Sequence, residues 1–192
     1  MKVIAFNGSA RKNGNTTILI NTVFEELIKE GIETELIELS EKEIKGCIAC
    51  YQCWNNKDQR CAVNNDDINE LVDKMIHSDG MILASPTYFA DITSEMKALM
   101  DRAGMVAKAN DDMLKRKVGA AVVVARRAGS IHALDSLNHF FFIGQMVVPS
   151  ASYWNVGFGR EIGDVQKDEE ALRTMSVLGQ NMAWLMKKIY AT

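Results

Sequence analysis

Uninterrupted apolar runs alternate along the chain with segments whose apolar residues recur every three or four positions. VIAFN (3–7), GMILAS (80–85) and VGAAVVVA (118–125) are runs of the first kind. Continuous rather than alternating apolarity marks strands of a parallel sheet covered on both faces. TELIEL (34–39) and MVVPSA (146–151) are expected to add two shorter strands. Between the runs, Ile20, Val23, Phe24, Leu27 and Ile28 stand at helical spacing, and Gly31 follows where a C-terminal cap belongs. Ile68, Leu71, Val72, Met75 and Ile76 repeat that spacing, with Asp67 and Glu70 placed as a capping box. Met96, Leu99, Met100 and Ala103 give a third helical face, and Leu134, Leu137 and Phe141 a fourth. Ala171, Leu172, Met175, Leu178, Met182, Leu185, Met186 and Ile189 give a long fifth. The alternation predicts a doubly wound α/β fold with a five-stranded parallel sheet, built by residues 1–192 as one domain. The stretch 40–64 fits neither period and is read as an irregular insert; such inserts in compact domains are usually functional or mobile.

A sheet of this kind binds ligands at the C-terminal ends of its strands, and the first βα turn offers free N–H groups and a helix dipole to an anion. GSARKNGNTT (8–17) occupies that turn. It is not a Walker A loop, because five residues separate Gly8 from Gly14 and Asn15 follows where lysine is required. It is not a dinucleotide fingerprint either, since Ala10 stands at the third position. Ser9, Asn15, Thr16 and Thr17 can donate to phosphate oxygens, and Arg11 can add a charge-assisted bond. That set suits one terminal phosphomonoester, such as that of FMN. The competing reading is a polar turn before a capped helix.

Two further loops leave strand ends. In SPTYFADIT (85–93), Pro86 stiffens the chain beside Thr87, while Tyr88 and Phe89 offer an aromatic wall for a flat heterocycle. In ARRAGS (125–130), Arg126 and Arg127 precede a flexible Gly129, and cations there would favour a reduced, anionic flavin. Inward-packed aromatics and solvated arginines are the alternatives for each loop alone; the convergence of all three is what points to a flavin.

NGSARKNGNTT, SPTYF and ARRAG, in this order, resemble the NAD(P)H-dependent FMN reductases of the flavodoxin-like superfamily, and the likeness extends over nearly the whole chain. It is strongest to the iron–sulfur flavoproteins, which carry a compact cysteine cluster after the second strand. The resemblance implies an FMN-binding homodimer, often paired into a tetramer. It assigns Ser9, Arg11, Asn15, Thr16 and Thr17 to the phosphate, Pro86, Thr87, Tyr88 and Phe89 to the isoalloxazine, and Arg126, Arg127 and Gly129 to a third flavin-facing loop.

The insert contains GCIACYQCWNNKDQRC, with Cys47, Cys50, Cys53 and Cys61 as all four cysteines of the chain. Four thiolates at this spacing can hold a 4Fe–4S cluster. The gap before Cys61 is longer than in ferredoxin-type runs, and no proline follows it. A four-cysteine zinc site and plain reduced thiols are the other readings.

Composition narrows the partners. A net charge of -3 without a basic cluster gives no footprint for nucleic acid, and no apolar run approaches the length that spans a bilayer. The chain shows no signal-peptide pattern, so a cytoplasmic protein with reduced cysteines is expected. His77, His132 and His139 form no ligand pair, and Asp66 and Asp67 read as a helix start. HFFFIGQ (139–145) and SYWNVGFGR (152–160) read as core or subunit contact, with a wall or lid over the flavin as the alternative. The expected activity is flavin redox chemistry: hydride from NAD(P)H to FMN and on to a small acceptor, or single electrons exchanged with a ferredoxin-like carrier through a cluster. A flavin-loaded redox or metal sensor with little turnover, and a flavodoxin-like shell without cofactor, are the alternatives.

Overall fold

The three continuous apolar runs become the three central strands of one sheet. In this computed structural model, which describes residues 1–190, they are β1 (Lys2–Asn7), β3 (Gly80–Pro86) and β4 (Val118–Ala125). Every position of β4 is buried. β2 (Glu33–Glu38) and β5 (Val156–Phe158) flank them, all pairings are parallel, and the order is β2-β1-β3-β4-β5. This is the flavodoxin-like doubly wound order, in which the direction of winding reverses between β1 and β3.

Successive strand residues point to opposite faces, so the continuous runs feed two cores. Val3, Ala5, Ile82, Ala84 and Val122 pack beneath α1 (Asn15–Lys29) and α6 (Glu169–Tyr190). Ile4, Phe6, Met81, Leu83 and Val123 pack beneath α3 (Ile68–His77), α4 (Ser94–Ala109) and α5 (Ser130–Ile143). α1 stops as its sequence implies. Gly31 takes φ +74°, and the Gly31 and Ile32 N–H groups donate to Ile28 O and Leu27 O, both at 3.0 Å, a Schellman closure that seats Ile32 in the same core as Leu27.

Two sequence expectations are corrected. The run 146–151 is not the fifth strand: only Val147 bridges to Val118, and Pro149, lacking an N–H, cannot extend the ladder. The chain instead runs on to Asn155, whose side chain donates to Ala121 O at 3.0 Å, and β5 pairs with Val123–Ala125 at the opposite end of β4. Asp67 makes no capping-box bond at α3; its carboxylate accepts the Glu43 N–H at 2.8 Å, a tertiary partner that local spacing does not reveal. The 40–64 insert is irregular apart from its first residues, which finish a 3-10 turn at Leu39–Glu41, and a single short helix, α2 (Gln52–Asn56). Among the described residues no helix is long and apolar enough to cross a membrane.

Candidate flavin site

The loops that leave β1, β3, β4 and β5 meet around a cavity of about 240 Å3 at the winding reversal. The first loop contributes Ser9, Arg11, Asn15 and Thr16; the second Pro86, Thr87 and Tyr88; the third Arg126. The loop after β5 adds Gly159, Arg160 and Ile162, and Val124 forms the floor.

The cradle is shaped from below by Asn7, the last residue of β1. Its Oδ1 accepts the Ser9 N–H at 3.0 Å, and its Nδ2 donates to Thr17 Oγ1 at 3.0 Å and to Glu38 Oε2 at 2.7 Å. Thr17 in turn donates to Glu38 Oε1 at 3.4 Å, so its hydroxyl supports the loop from behind and does not line the cavity. Burial pushes the Glu38 carboxyl above its ordinary pKa, against the bonds from Asn7 and Thr17. The Asn15 side chain is also committed: it donates to Glu161 O at 2.8 Å and accepts from the Gly163 and Val165 N–H groups at 2.9 and 3.3 Å. A Cβ at Gly159 would stand 2.7 Å from that amide, so only glycine lets the fourth loop lie against α1 here. What Asn15 and Thr17 offer an anion is their main chain, whereas Thr16 lines the cavity with its side chain uncommitted. The first helical bond from this end runs from Ile18 N to Gly14 O, leaving the preceding N–H groups without intrahelical acceptors. Arg11 closes the rim by donating to Arg160 O at 2.7 Å.

The second loop is a tight turn. Tyr88 and Asp91 exchange N–H···O bonds at 2.8 and 3.2 Å around Phe89 and Ala90, both at positive φ. The turn swings the Phe89 ring fully into solvent, so Tyr88 rather than Phe89 walls the cavity. Asp91 ties the turn to α5: it accepts from Ser136 Oγ at 2.8 Å and faces His132 Nε2 at 3.3 Å. Arg127 and Gly129 also lie outside the lining. Gly129, at φ +85°, supplies the left-handed bend that starts α5.

The donors fit a phosphate-bearing flavin. A row of free helix N–H groups with the Ser9 and Thr16 hydroxyls answers the phosphate. Thr87 Oγ1 is buried beside the cavity without a hydrogen-bond partner, as is the nearby Thr93 Oγ1. The family model for NADPH-dependent FMN reductases matches residues 1–161. The chain belongs to that family. Among its relatives, an iron-sulfur flavoprotein of Methanocaldococcus jannaschii is 38% identical over 98% of this chain and 99% of its own length. An iron-sulfur flavoprotein of Methanosarcina thermophila is 33% identical over 93% and 95%. The crystal structure of RosB with bound 8-demethyl-8-formylriboflavin-5'-phosphate superposes with a TM-score of 0.77 at 21% identity, covering all of this chain and 81% of that one, which shows the shared fold.

Within this FMN reductase fold the cysteines are all free, but they do not form a ready-made site. Among the described residues no three Cys, His, Asp or Glu side chains are grouped so as to hold a metal ion. Cys47 and Cys50 are exposed, Cys53 is buried and Cys61 is half-buried. Ala49 and Tyr51, on either side of Cys50, both take positive φ, at 52° and 56°.

Sequence reasoning missed Glu38 and Ile162 and gave Asn7 no role of its own, while Gly159 and Arg160 fell in the 152–160 stretch, read as core or subunit contact with a wall or lid over the flavin as the alternative.

Proposed function

We propose that this protein is an FMN-dependent oxidoreductase that takes electrons from NAD(P)H and passes them through bound FMN to a small acceptor or an electron carrier. The observation that carries this reading is the meeting of four strand-end loops on one cavity that offers an unpaired helix N-terminus. When bound, FMN supplies hydride or single-electron chemistry at its ring. Ser9, Arg11, Thr16 and the N–H groups of residues 15–17 would hold its phosphate. Thr87 and Tyr88 would hold and wall the ring, and Arg126 would favour negative charge on it. Hydride transfer asks for no side-chain acid or base, so these residues act by orienting and excluding water. Purified protein titrated with FMN and riboflavin in parallel tests the reading. FMN should bind at least about tenfold more tightly, since only it presents a phosphate to the helix N-terminus; equal affinities would remove the assignment.

We further propose that Cys47, Cys50, Cys53 and Cys61 take up a 4Fe–4S cluster in a reducing, cytoplasmic setting. Support comes from the names of the relatives, the four free thiols and the thiol-only donor set. Since the thiols stand apart, uptake requires the Cys47–Cys53 stretch to close. Cys50→Ala should abolish the broad absorption near 400 nm of anaerobically reconstituted protein while leaving the flavin bands; a persisting shoulder would show that Cys50 is not a ligand. A flavin-loaded redox sensor is the second reading, favoured by the exposure of Cys47 and Cys50. Sustained NAD(P)H turnover with an artificial acceptor would exclude it.

A second copy of the chain is the proposed cover for an apolar groove of about 510 Å3 between α5 and residues 148–155. Phe142, Tyr153 and Trp154 line it and are each more than half exposed, as is Trp184 nearby. Trp154→Glu should shift the light-scattering mass from dimer or tetramer toward monomer.

A further inference from the structure

The loop that cradles the anion rests on a carboxylate. Glu38 ends β2 directly opposite Asn7, the last residue of β1. Its Oε2 accepts from Asn7 Nδ2 at 2.7 Å, and its Oε1 accepts from Thr17 Oγ1 at 3.4 Å. These contacts leave Asn7 one orientation. Both hydrogens of its Nδ2 are spent, on Glu38 and on Thr17 Oγ1 at 3.0 Å, so its Oδ1 faces the Ser9 N–H and accepts it at 3.0 Å. Turned over, the amide would set its oxygen against the carboxylate and its NH2 against the Ser9 N–H. Asn7, Ser9 and Thr17 are all buried.

The same carboxylate places a negative charge behind an anion site. Thr17 belongs to both: its hydroxyl binds Glu38, and its N–H is among the free donors of the first turn of α1. The charged groups that face Glu38 are Lys12 from the loop and Glu41 from the 3-10 turn after β2. They are paired with each other at the surface, so their effects on Glu38 oppose. Its other partners, Asn7 and Thr17, are neutral. Burial already pushes the carboxyl above its ordinary value.

We propose that Glu38 couples phosphate binding to a proton: as the dianion seats on the helix N-terminus, the Glu38 carboxylate takes up one proton from solvent and its charge is removed from behind the anion. This rests on the flavin reading above. Like charges at close range favour protonation of the weaker acid, and here one of them is a half-buried carboxylate. The network has room for the proton. Oε2 goes on accepting from Asn7, so Asn7 keeps its orientation and the Ser9 turn its shape. The proton sits on Oε1 and is donated to Thr17 Oγ1, which reverses one bond of the set without breaking it. Because the carboxyl pKa is higher in the complex than in the free protein, its contribution to binding is fullest at low pH and is lost as pH rises through the higher value.

The test is calorimetric titration of FMN and riboflavin, from about pH 5.5 to about pH 8.5, in buffers of different ionisation heat, which counts the protons exchanged. Wild type is compared with Glu38→Gln, an isostere of the protonated acid that can accept from Asn7 and donate to Thr17. The titration of the phosphate itself is common to both proteins, so a difference in proton count belongs to Glu38. Wild type should take up more protons with FMN than Glu38→Gln does, by roughly half a proton or more at the maximum. Glu38→Gln should also bind FMN about tenfold more tightly than wild type at about pH 8, where only the wild type must first protonate its carboxylate. Riboflavin should bind both proteins alike. If the variant does not fold, the wild type carries the test alone. At about pH 7.5, where a phosphomonoester with a second pKa of about 6 is already a dianion, FMN should bring proton uptake that riboflavin does not. Equal proton counts in wild type and folded variant, or equal counts for FMN and riboflavin in the wild type at that pH, would overturn the proposal and leave Glu38 a brace for Asn7. A wild type that binds FMN no better than riboflavin would instead overturn the phosphate assignment, and this inference with it.

Discussion

Thr16→Asp should strip the flavin from this protein without unfolding it. Thr16 lines the cavity in the first turn of α1, among the N–H groups assigned to the phosphate. A carboxylate there would occupy the anion position and repel the dianionic phosphate at close range, where the low-dielectric wall weakens screening. The expected loss is about 100-fold in FMN affinity, or about 2.8 kcal/mol. Some stability should be lost as well, because Thr16 is 2% exposed and a buried carboxylate is costly to desolvate, offset in part by the helix dipole that an acidic residue in the first turn complements. Arg11 and Arg126 on the same cavity can also face it. Fluorescence titration decides the matter when riboflavin is run beside FMN. Riboflavin should bind variant and wild type nearly equally, and unchanged FMN affinity would show that the phosphate lies elsewhere.

The second large effect concerns the buried ion pair. Arg102→Leu should destabilise the fold by about 3–5 kcal/mol near neutral pH, since it leaves the Asp66 carboxylate buried without its cation. The pH dependence should reverse sign at this group. In the wild type, burial pushes the Asp66 carboxyl up, and the Arg102 guanidinium with the Lys45 and Ile68 N–H groups holds it, on balance, below its ordinary value. Its stabilisation is therefore present above the unfolded pKa of about 3.9 and is lost as pH falls through the lower folded value. In the leucine variant burial dominates and the folded pKa rises, so stability is fullest at low pH and is lost as pH increases. Urea unfolding of both proteins at about pH 5 and pH 8 reads this directly. The gap between their midpoints should widen at the higher pH, and a gap independent of pH would mean that Asp66 finds another partner.

What the sequence made legible follows from which interactions are local. The β1, β3 and β4 runs are apolar at consecutive positions because the strands are covered on both sides, and that pattern needs no knowledge of the partner helices. The Gly31 closure of α1 is equally local. The fifth strand was misplaced because Val147 and Val148 carry a stronger apolar signal than the short Val156–Phe158 strand, which is fixed by Asn155 and its contact with β4. The loop after β1 was placed at the ligand end of the sheet from its position alone, but the hydrogen bonds of its side chains were not legible. Asn15 looked like an anion donor and instead fastens a loop about 150 residues away. Phe89 looked like a flavin wall and instead tips a left-handed turn. The Arg102 clasp gave no sequence signal at all: it joins positions 45, 61, 63, 66 and 102, and only the packing of α4 against the insert brings them together.

The chain carries a net charge of -3, yet exposed Arg11 and Arg126 stand at the rim of the cavity. An anionic visitor is therefore repelled by the molecule at long range and drawn in only over the last stretch, roughly the Debye length of about 8 Å at physiological salt. Moderate ionic strength hides the distant repulsion before it weakens the nearby pull, so capture of anions passes through an optimum in salt instead of falling steadily.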